Sequence, residues 1–260
     1  MKKNVNKVLK SLVSDITKIK NDADRKMSMD SLINPYFDHR NRFRSDLNII
    51  KKYFHKGKIL EVGSSPYHLT YCLKQRGYDI TGVDINTKVL HEFQKKHALK
   101  VVQADVEKDK LPFTDDTFDL VICNEVFEHL RIDPLKALRE IHRVLKPSGL
   151  LILSTPNLYA LHKIIQFNLG GSFNNAYFEL NKVNVYGYMG HIREYSTKEL
   201  QEILTKCGFR IQTVLYRTYN NFVDHPFLTK SLFKIPALIL DMLIFAIPRF
   251  RPFQVLISTK

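Results

Sequence analysis

Apolar residues change their spacing twice along this chain, and the changes mark out its organisation. Over residues 1–35, Val8, Leu9, Leu12, Val13, Ile16 and Ile19 recur at helical intervals among basic positions, which predicts an amphipathic helix. A second helix is predicted from about Asp38 to Phe54, with Phe43, Leu47, Ile50 and Phe54 as its apolar stripe. The pattern then breaks into short apolar runs. Strands are predicted at Lys58–Val62, Asp79–Val83, Lys100–Gln103, Phe118–Cys123 and Leu150–Ser154. Helical stretches at Leu69–Arg76, Thr87–His97 and Pro134–Val144 separate them, the last closed by Lys146-Pro147-Ser148-Gly149. Strands joined by helices at short intervals predict an α/β fold built on a doubly wound, mostly parallel sheet.

The remainder reads differently. Residues 156–195 are rich in Asn, Gly and Tyr and are expected to form an insertion or lid. Ser196-Thr197-Lys198-Glu199 has the spacing of a capping box and leads into a helix over Leu200–Cys207 that closes at Gly208. Phe209–Tyr216 and Phe253–Thr259 bring the predicted strands to seven. Between them, Leu232–Pro248 is apolar but interrupted by Lys234, Pro236 and Asp241. It falls short of the roughly 18 unbroken apolar residues of a spanning helix, and suits packing on the sheet or lying in a membrane interface. The expected division is a helical arm over 1–56, one half of the main domain over 57–155, the insertion over 156–195, and the rest of that domain over 196–260 with its apolar helix at 232–248. No internal repeat is evident.

Composition sets outer limits. A hydrophobic share of 44% over 260 residues belongs to a globular chain with a sizeable core. Cys72, Cys123 and Cys207 lie far apart with no CxxC pair, which argues against a disulfide framework or a cysteine-rich zinc site and for a reducing, cytoplasmic location. The N-terminal lysines Lys2, Lys3 and Lys7 are not followed by a continuous apolar core, so no secretory signal is expected. The net charge of +14 is uneven: residues 1–60 hold 15 Lys and Arg against 6 Asp, and residues 217–260 hold 6 against 2. Arms of this kind attract phosphate-bearing partners, or serve solubility alone.

The candidate chemistry begins where the strands end. Ile59-Leu60-Glu61-Val62-Gly63-Ser64-Ser65 and Ile80-Thr81-Gly82-Val83-Asp84 stand about one βαβ unit apart. The C-terminal ends of parallel strands are where open α/β sheets bind ligands. Gly63 allows close backbone approach, and the Asp84 carboxylate can accept both hydroxyls of a ribose. Together they predict a nucleoside-type cofactor. The full GxGxxG of a pyrophosphate-binding loop is absent, which disfavours NAD.

With Gln103-Ala104-Asp105-Val106 after the third strand, Leu111-Pro112-Phe113, Phe118-Asp119-Leu120-Val121-Ile122, and Arg143-Val144-Leu145-Lys146-Pro147-Ser148-Gly149-Leu150-Leu151, the chain resembles the class I S-adenosylmethionine-dependent methyltransferases of the small-molecule type 11 branch. The resemblance covers roughly residues 57–216 and implies a Rossmann-like seven-stranded sheet whose half at 57–155 binds S-adenosylmethionine. It implies that Glu61, Gly63, Ser64 and Ser65 hold the methionine part, Asp84 the ribose hydroxyls, and Asp105 the adenine amino group with Val106 beside the ring, with Ile85 and Asn124 also in the cofactor-binding set. The plainer role for Asp84 and Asp105 is helix capping. One departure is visible: the family loop is commonly glycine-rich, whereas Ser64, Ser65 and Pro66 follow Gly63 here, and Pro66 removes a backbone donor.

A second cluster, Glu125-Val126-Phe127-Glu128-His129, places Glu125, Glu128 and His129 on one face if it is helical. It looks like a signature of branches that include ubiquinone-biosynthesis O-methyltransferases and small-RNA 2′-O-methyltransferases. Some members bind a divalent metal through these residues and a later histidine, for which His191 is the candidate. The metal set would be Glu125, Glu128, His129 and His191, and the preferred expectation is that no metal binds and that His129 or His191 acts as general base. Tyr186, Tyr188 and Tyr195, with Tyr36 and Phe37, are candidates for an acceptor pocket or for packing. Arg40 and Arg44 are candidates for phosphate contact or a solvated face.

The expected acceptor is a small molecule, phosphate-bearing or lipid-linked, such as a glycan or quinone intermediate, with peripheral membrane contact through 232–248. Nucleic acid is disfavoured because no RNA-binding module or basic aromatic patch is recognisable. An RNA methyltransferase and a non-catalytic S-adenosylmethionine-binding protein are the alternatives.

Overall fold

The computed structural model describes residues 5–19, 34–88, 91–186, 190–218 and 234–260. The two N-terminal helices form where their stripes predict. Helix α1 (Val5–Ile19) buries Val8, Leu9 and Leu12 while Lys7, Lys10 and Ser14 face water. Helix α2 (Asn34–Tyr53) buries Phe43, Leu47 and Ile50, with Phe54 just beyond its end, and carries Lys51 and Lys52 in the last turn, where cations offset the exposed carbonyl dipoles.

The strands of the parallel half are β1 (Lys58–Val62), β2 (Asp79–Asp84) and β3 (Lys100–Gln103). β1 pairs with β2 in parallel from Lys58↔Asp79 to Val62↔Val83, and β2 with β3 from Thr81↔Lys100 to Asp84↔Gln103. This register brings the ends of all three to one edge. Helix α3 (His68–Gln75) separates β1 from β2 and buries every side chain from His68 to Leu73. The Tyr71 hydroxyl on α3 donates to Asp15 at 2.6 Å, fastening α1 to it.

Helix α4 (His91–Lys96) is shorter than the predicted Thr87–His97. The Thr87 carbonyl accepts from the Gln94 side chain at 2.7 Å, so the chain around Thr87 enters α4 as a loop. Strand β4 (Phe118–Asn124) has a nearly continuous buried run, and helix α5 (Pro134–Val144) follows. Strand β5 (Leu145–Pro156) starts earlier than the predicted Leu150–Ser154, taking in the Lys-Pro-Ser-Gly segment that closes α5.

The segment read as an insertion or lid carries two helices, α6 (Leu161–Asn168) and α7 (Ala176–Tyr186). Its ends are tied together by a bridge between Asn157 and Tyr195. Helix α8 (Thr197–Lys206) starts with the predicted capping box: Ser196 Oγ accepts from Glu199 N at 3.2 Å, and Ser196 N donates to Glu199 Oε2 at 2.8 Å. Strand β6 (Arg210–Arg217), helix α9 (Lys234–Ala246) and strand β7 (Phe253–Thr259) complete the chain, with β6 and β7 antiparallel.

The seven strands take the order β3-β2-β1-β4-β5-β7-β6, the mostly parallel, doubly wound sheet that the sequence predicts. By density of contacts the chain divides into two compact units, residues 1–122 with 143–150, and residues 123–142 with 151–260. No helix among the described residues is long and apolar enough to cross a membrane.

Candidate active site

The first unit holds the strand-end acids. Gly63, directly after β1, has φ +69°, a conformation that glycine adopts without strain. Its amide donates to Val83 O at 2.9 Å, and that of Ser64 to the same carbonyl at 3.2 Å. The Ser65 amide donates to Asp84 Oδ2 at 2.9 Å, and the Tyr67 amide to Ser64 O at 2.6 Å. Pro66, joined to Ser65 by a cis peptide, has no amide hydrogen to give. Every backbone donor of the loop from Gly63 to Tyr67 is therefore spent inside the protein. What the loop keeps for a ligand is the Ser64 hydroxyl, buried and without a hydrogen-bond partner. Gly82 makes room for that side chain: a Cβ there would come within 2.6 Å of Ser64 Oγ.

Asp84 at the end of β2 also receives the Asn86 amide on Oδ1, at 3.0 Å. Burial raises its pKa, and the backbone amides of Asn86, Ser65 and Ile85 pull the other way. Each oxygen keeps acceptor capacity for a hydroxyl. Ile85 is 62% exposed and Val106 is 8% exposed. Glu61, inside β1, takes a hydrogen bond from the Thr70 hydroxyl. Burial pushes its carboxyl up to about 8, against the lowering effect of that bond. Asp105 follows β3 and serves its own turn, accepting from Glu107 N at 3.0 Å and pairing with Lys108 at 3.1 Å. No helix directly follows Asp105 among the described residues, so it closes a turn instead of capping a helix, and its pairing with Lys108 leaves lone pairs for a further donor. A ribose-accepting acid, an open isoleucine beside it and an unspent buried hydroxyl fit a nucleoside cofactor with an amino-acid tail.

The second unit holds the acid–histidine cluster. After β4, Glu125 adopts φ +55° and turns to take the Ser154 hydroxyl on Oε1 at 2.8 Å. The predicted convergence of Glu125 with the others is corrected here: residues 127–129 form a single 3₁₀ turn, and the set whose ligand atoms lie within 4.8 Å of one another is Glu128, His129 and His191. The His129 and His191 rings meet edge to face, with centroids 4.8 Å apart. Glu128 is wholly buried and neither carboxyl oxygen meets a partner in good hydrogen-bond geometry; burial, reinforced by the charge of Glu125, raises its pKa well above the usual range against a weaker pull from its own backbone and the Thr155 hydroxyl. Its backbone carbonyl accepts from Ile192 N at 2.9 Å, which fixes the His191 segment beside it.

His191 is braced from the other side by residues that the motif did not indicate. Its Nδ1 lies 3.2 Å from Glu194 Oε1, and its Nε2 lies 4.0 Å from Glu128 Oε1. Glu194 forms a buried ion pair with Lys163 of α6 and accepts from Asn174 Nδ2 at 3.2 Å. Burial alone would raise the Glu194 carboxyl, but the His191 hydrogen bond and the Lys163 ammonium hold it below the ordinary value. The His191 amide donates to Glu179 Oε2 at 2.8 Å, tying α7 to the same segment. The Asn124 amide at the end of β4 is shut off from solvent with neither atom paired, and so is the Thr155 hydroxyl. Tyr195 packs its ring 4.9 Å from Phe127 and is core, while Arg40 and Arg44 are exposed. The side chains of Tyr36, Phe37 and Tyr186, and all of Tyr188, lie outside the described residues.

Residues 60–153 match the family model described as a methyltransferase domain. A ubiquinone biosynthesis O-methyltransferase of Haemophilus ducreyi is 37% identical over 109 residues, 38% of this chain and 45% of that protein. The enzyme of the same name from Pseudomonas aeruginosa is 27% identical over 175 residues, 65% of this chain and 71% of that one. Among solved structures, a SAM-dependent methyltransferase from Archaeoglobus fulgidus superposes with a TM-score of 0.58 at 18% identity, over 86% of this chain and 98% of that one. A doubly wound sheet with an acid at the end of its second strand, matched in this way, defines the class. Residues 60–153 thus carry a methyltransferase domain, on the sheet topology of the solved S-adenosylmethionine-dependent enzymes, and S-adenosylmethionine is the cofactor of that class. It spans less than half the length of the Haemophilus relative.

Proposed function

We propose that this protein transfers a methyl group to an oxygen atom of a small, phosphate-bearing or lipid-linked acceptor in the cytoplasm. S-adenosylmethionine, when bound, supplies the methyl on a sulfonium sulfur. Asp84 would take the ribose hydroxyls, Ile85 and Val106 would flank the adenine, and the Ser64 hydroxyl is the donor left for the methionine tail. Displacement at a sulfonium asks mainly for alignment and exclusion of water, with a base where the acceptor is a weakly acidic hydroxyl.

The observation that carries oxygen as the target is the setting of His191. Asn174 Nδ2 lies 3.3 Å from Nδ1 but also donates to Glu194, and an ionised Glu194 beside Nδ1 favours the ring proton there, so that Nε2 keeps its lone pair. Nε2 is then suited to take a proton from an acceptor hydroxyl, and Glu194, anchored by Lys163, stabilises the resulting imidazolium. Curated relatives named for O-methylation in ubiquinone biosynthesis support the same target. The buried, unpaired Glu128 oxygens beside two imidazoles favour a second reading. Glu128, His129 and His191 would there hold a divalent cation that polarises the hydroxyl.

The test is incubation of the purified chain with methyl-labelled S-adenosylmethionine and cell extract, then separation into lipid, small-molecule and RNA fractions. Label in the lipid or small-molecule fraction as an ether is the expected result. Label in RNA, or none despite cofactor binding, would replace this proposal with the RNA or the non-catalytic alternative. Loss of labelling on chelation, restored by a divalent metal, would select the second reading.

A further inference from the structure

Helix α9 presents its apolar side to water. Ile235, Leu238, Ile239, Met242 and Phe245 are 72%, 52%, 52%, 63% and 81% exposed, while Ile244 on the opposite side is 4% exposed. Their spacing puts the exposed set on one continuous helical face. The helix does not hang loosely. Arg251 reaches back to cap its C-terminal carbonyls, donating to Ile244 O at 3.3 Å and Phe245 O at 3.2 Å, and it donates to Tyr216 O at 3.0 Å. The Asn157 amide holds Arg249 O and Arg251 O at 2.8 and 2.9 Å. The face is thus displayed from a fixed end, at the expense of leaving large side chains wet.

At 13 residues, α9 is about 20 Å long, too short for the ~30 Å hydrocarbon layer. Its flanks decide what it suits. Lys230 precedes it in the sequence, Lys234 is its first residue, the exposed Arg249 follows it, and Asp241 is the one acidic residue from 234 to 251. A symmetric antiparallel pairing with a second copy would bring basic end against basic end. A layer of lipid phosphates over an apolar interior matches both the stripe and its flanks.

We propose that α9 is an in-plane membrane anchor, with its Ile235–Phe245 face seated among the headgroups and upper acyl chains of an anionic bilayer. The proposal is independent of which molecule accepts the methyl group, because it is read without cofactor or acceptor. The full chain is mixed with vesicles of phosphatidylcholine alone or of three parts phosphatidylcholine to one part phosphatidylglycerol, and bound protein is measured by co-sedimentation. Binding to the anionic vesicles, weakened by salt, is expected. The double substitution Leu238→Asp, Met242→Asp should lower the partition coefficient at least about tenfold with an unchanged melting temperature, since both side chains are exposed. Arg249→Glu should lower binding to the anionic vesicles several-fold, with the fold equally unaffected. The proposal is overturned if wild-type protein stays in the supernatant, or if the double variant binds as well as wild type. It is also overturned if light scattering shows a wild-type dimer that the double substitution dissolves while no vesicle binding occurs.

Discussion

Glu61, Asp84, Glu128 and Glu194 are all held away from ordinary carboxylate behaviour, each in a direction that its surroundings explain. Glu61 is the clearest. Its carboxyl ordinarily titrates near 4.5, and in the fold burial takes it to about 8. As pH rises above 4.5 the unfolded chain gives up this proton while the folded chain keeps it. Stability therefore falls with pH through that window and stops responding to Glu61 above about 8. Glu61→Gln keeps an acceptor for Thr70 and removes the titration. Thermal melts of the variant between about pH 5 and 8 should have a flatter pH dependence, by on the order of a few kcal/mol across the window. A slope equal to wild type would show that Glu61 is ionised in the fold. Asp84→Ala should weaken S-adenosylmethionine binding by more than about tenfold, ~1.4 kcal/mol, in calorimetry. Glu194 is the positioning partner of His191. Replacing it alone would strand the Lys163 ammonium, so the informative variant pairs Glu194→Gln with Lys163→Met. Imidazole nitrogen spectra should then show His191 shifting from one tautomer, protonated at Nδ1, to a mixture of both.

At the scale of elements, local chemistry and tertiary demand agree in some places and part in others. The start of α8 was legible because a capping box is a local device: Ser196 and Glu199 satisfy each other's amides whatever lies beyond. Ser196→Ala should lower stability by about 1 kcal/mol, read as a melting temperature reduced by a few degrees with the sheet intact. The stripes of α1 and α2 and the runs of β1 and β2 were legible for a related reason, since burial on one face or both leaves a period in the sequence. α4 and β5 departed. The Thr87 carbonyl is taken by a Gln94 side chain, and Lys146-Pro147-Ser148-Gly149 joins the strand although Ser148 has φ +63°. Both outcomes depend on neighbours that a window of a dozen residues does not contain.

For the molecule as a whole, the strand order and the methyltransferase-domain match point to S-adenosylmethionine, and binding to the folded chain alone is a stability effect. S-adenosylmethionine at a hundredfold excess over its dissociation constant should stabilise the protein by ~2.7 kcal/mol, raising its melting temperature by several degrees, and its demethylated product should act likewise. NAD should leave the melting temperature unchanged. Absence of a shift with both sulfur nucleosides would remove the cofactor assignment for this chain.

The sequence by itself determined the α/β class, the seven strands, the two strand-end positions Gly63 and Asp84, and the candidacy of Glu128, His129 and His191. All of these follow from periodicity, chirality of the backbone and the chemistry of short motifs, which act over a few residues. The tertiary structure decided how those residues are used. It spent every amide of the Gly63–Tyr67 loop internally and left Ser64 as the free donor. It engaged Glu125 with Ser154 and brought Lys163 to Glu194 across 31 residues. A side chain's partner is set by where the packed sheet and helices leave it, and no spacing in the sequence records that position.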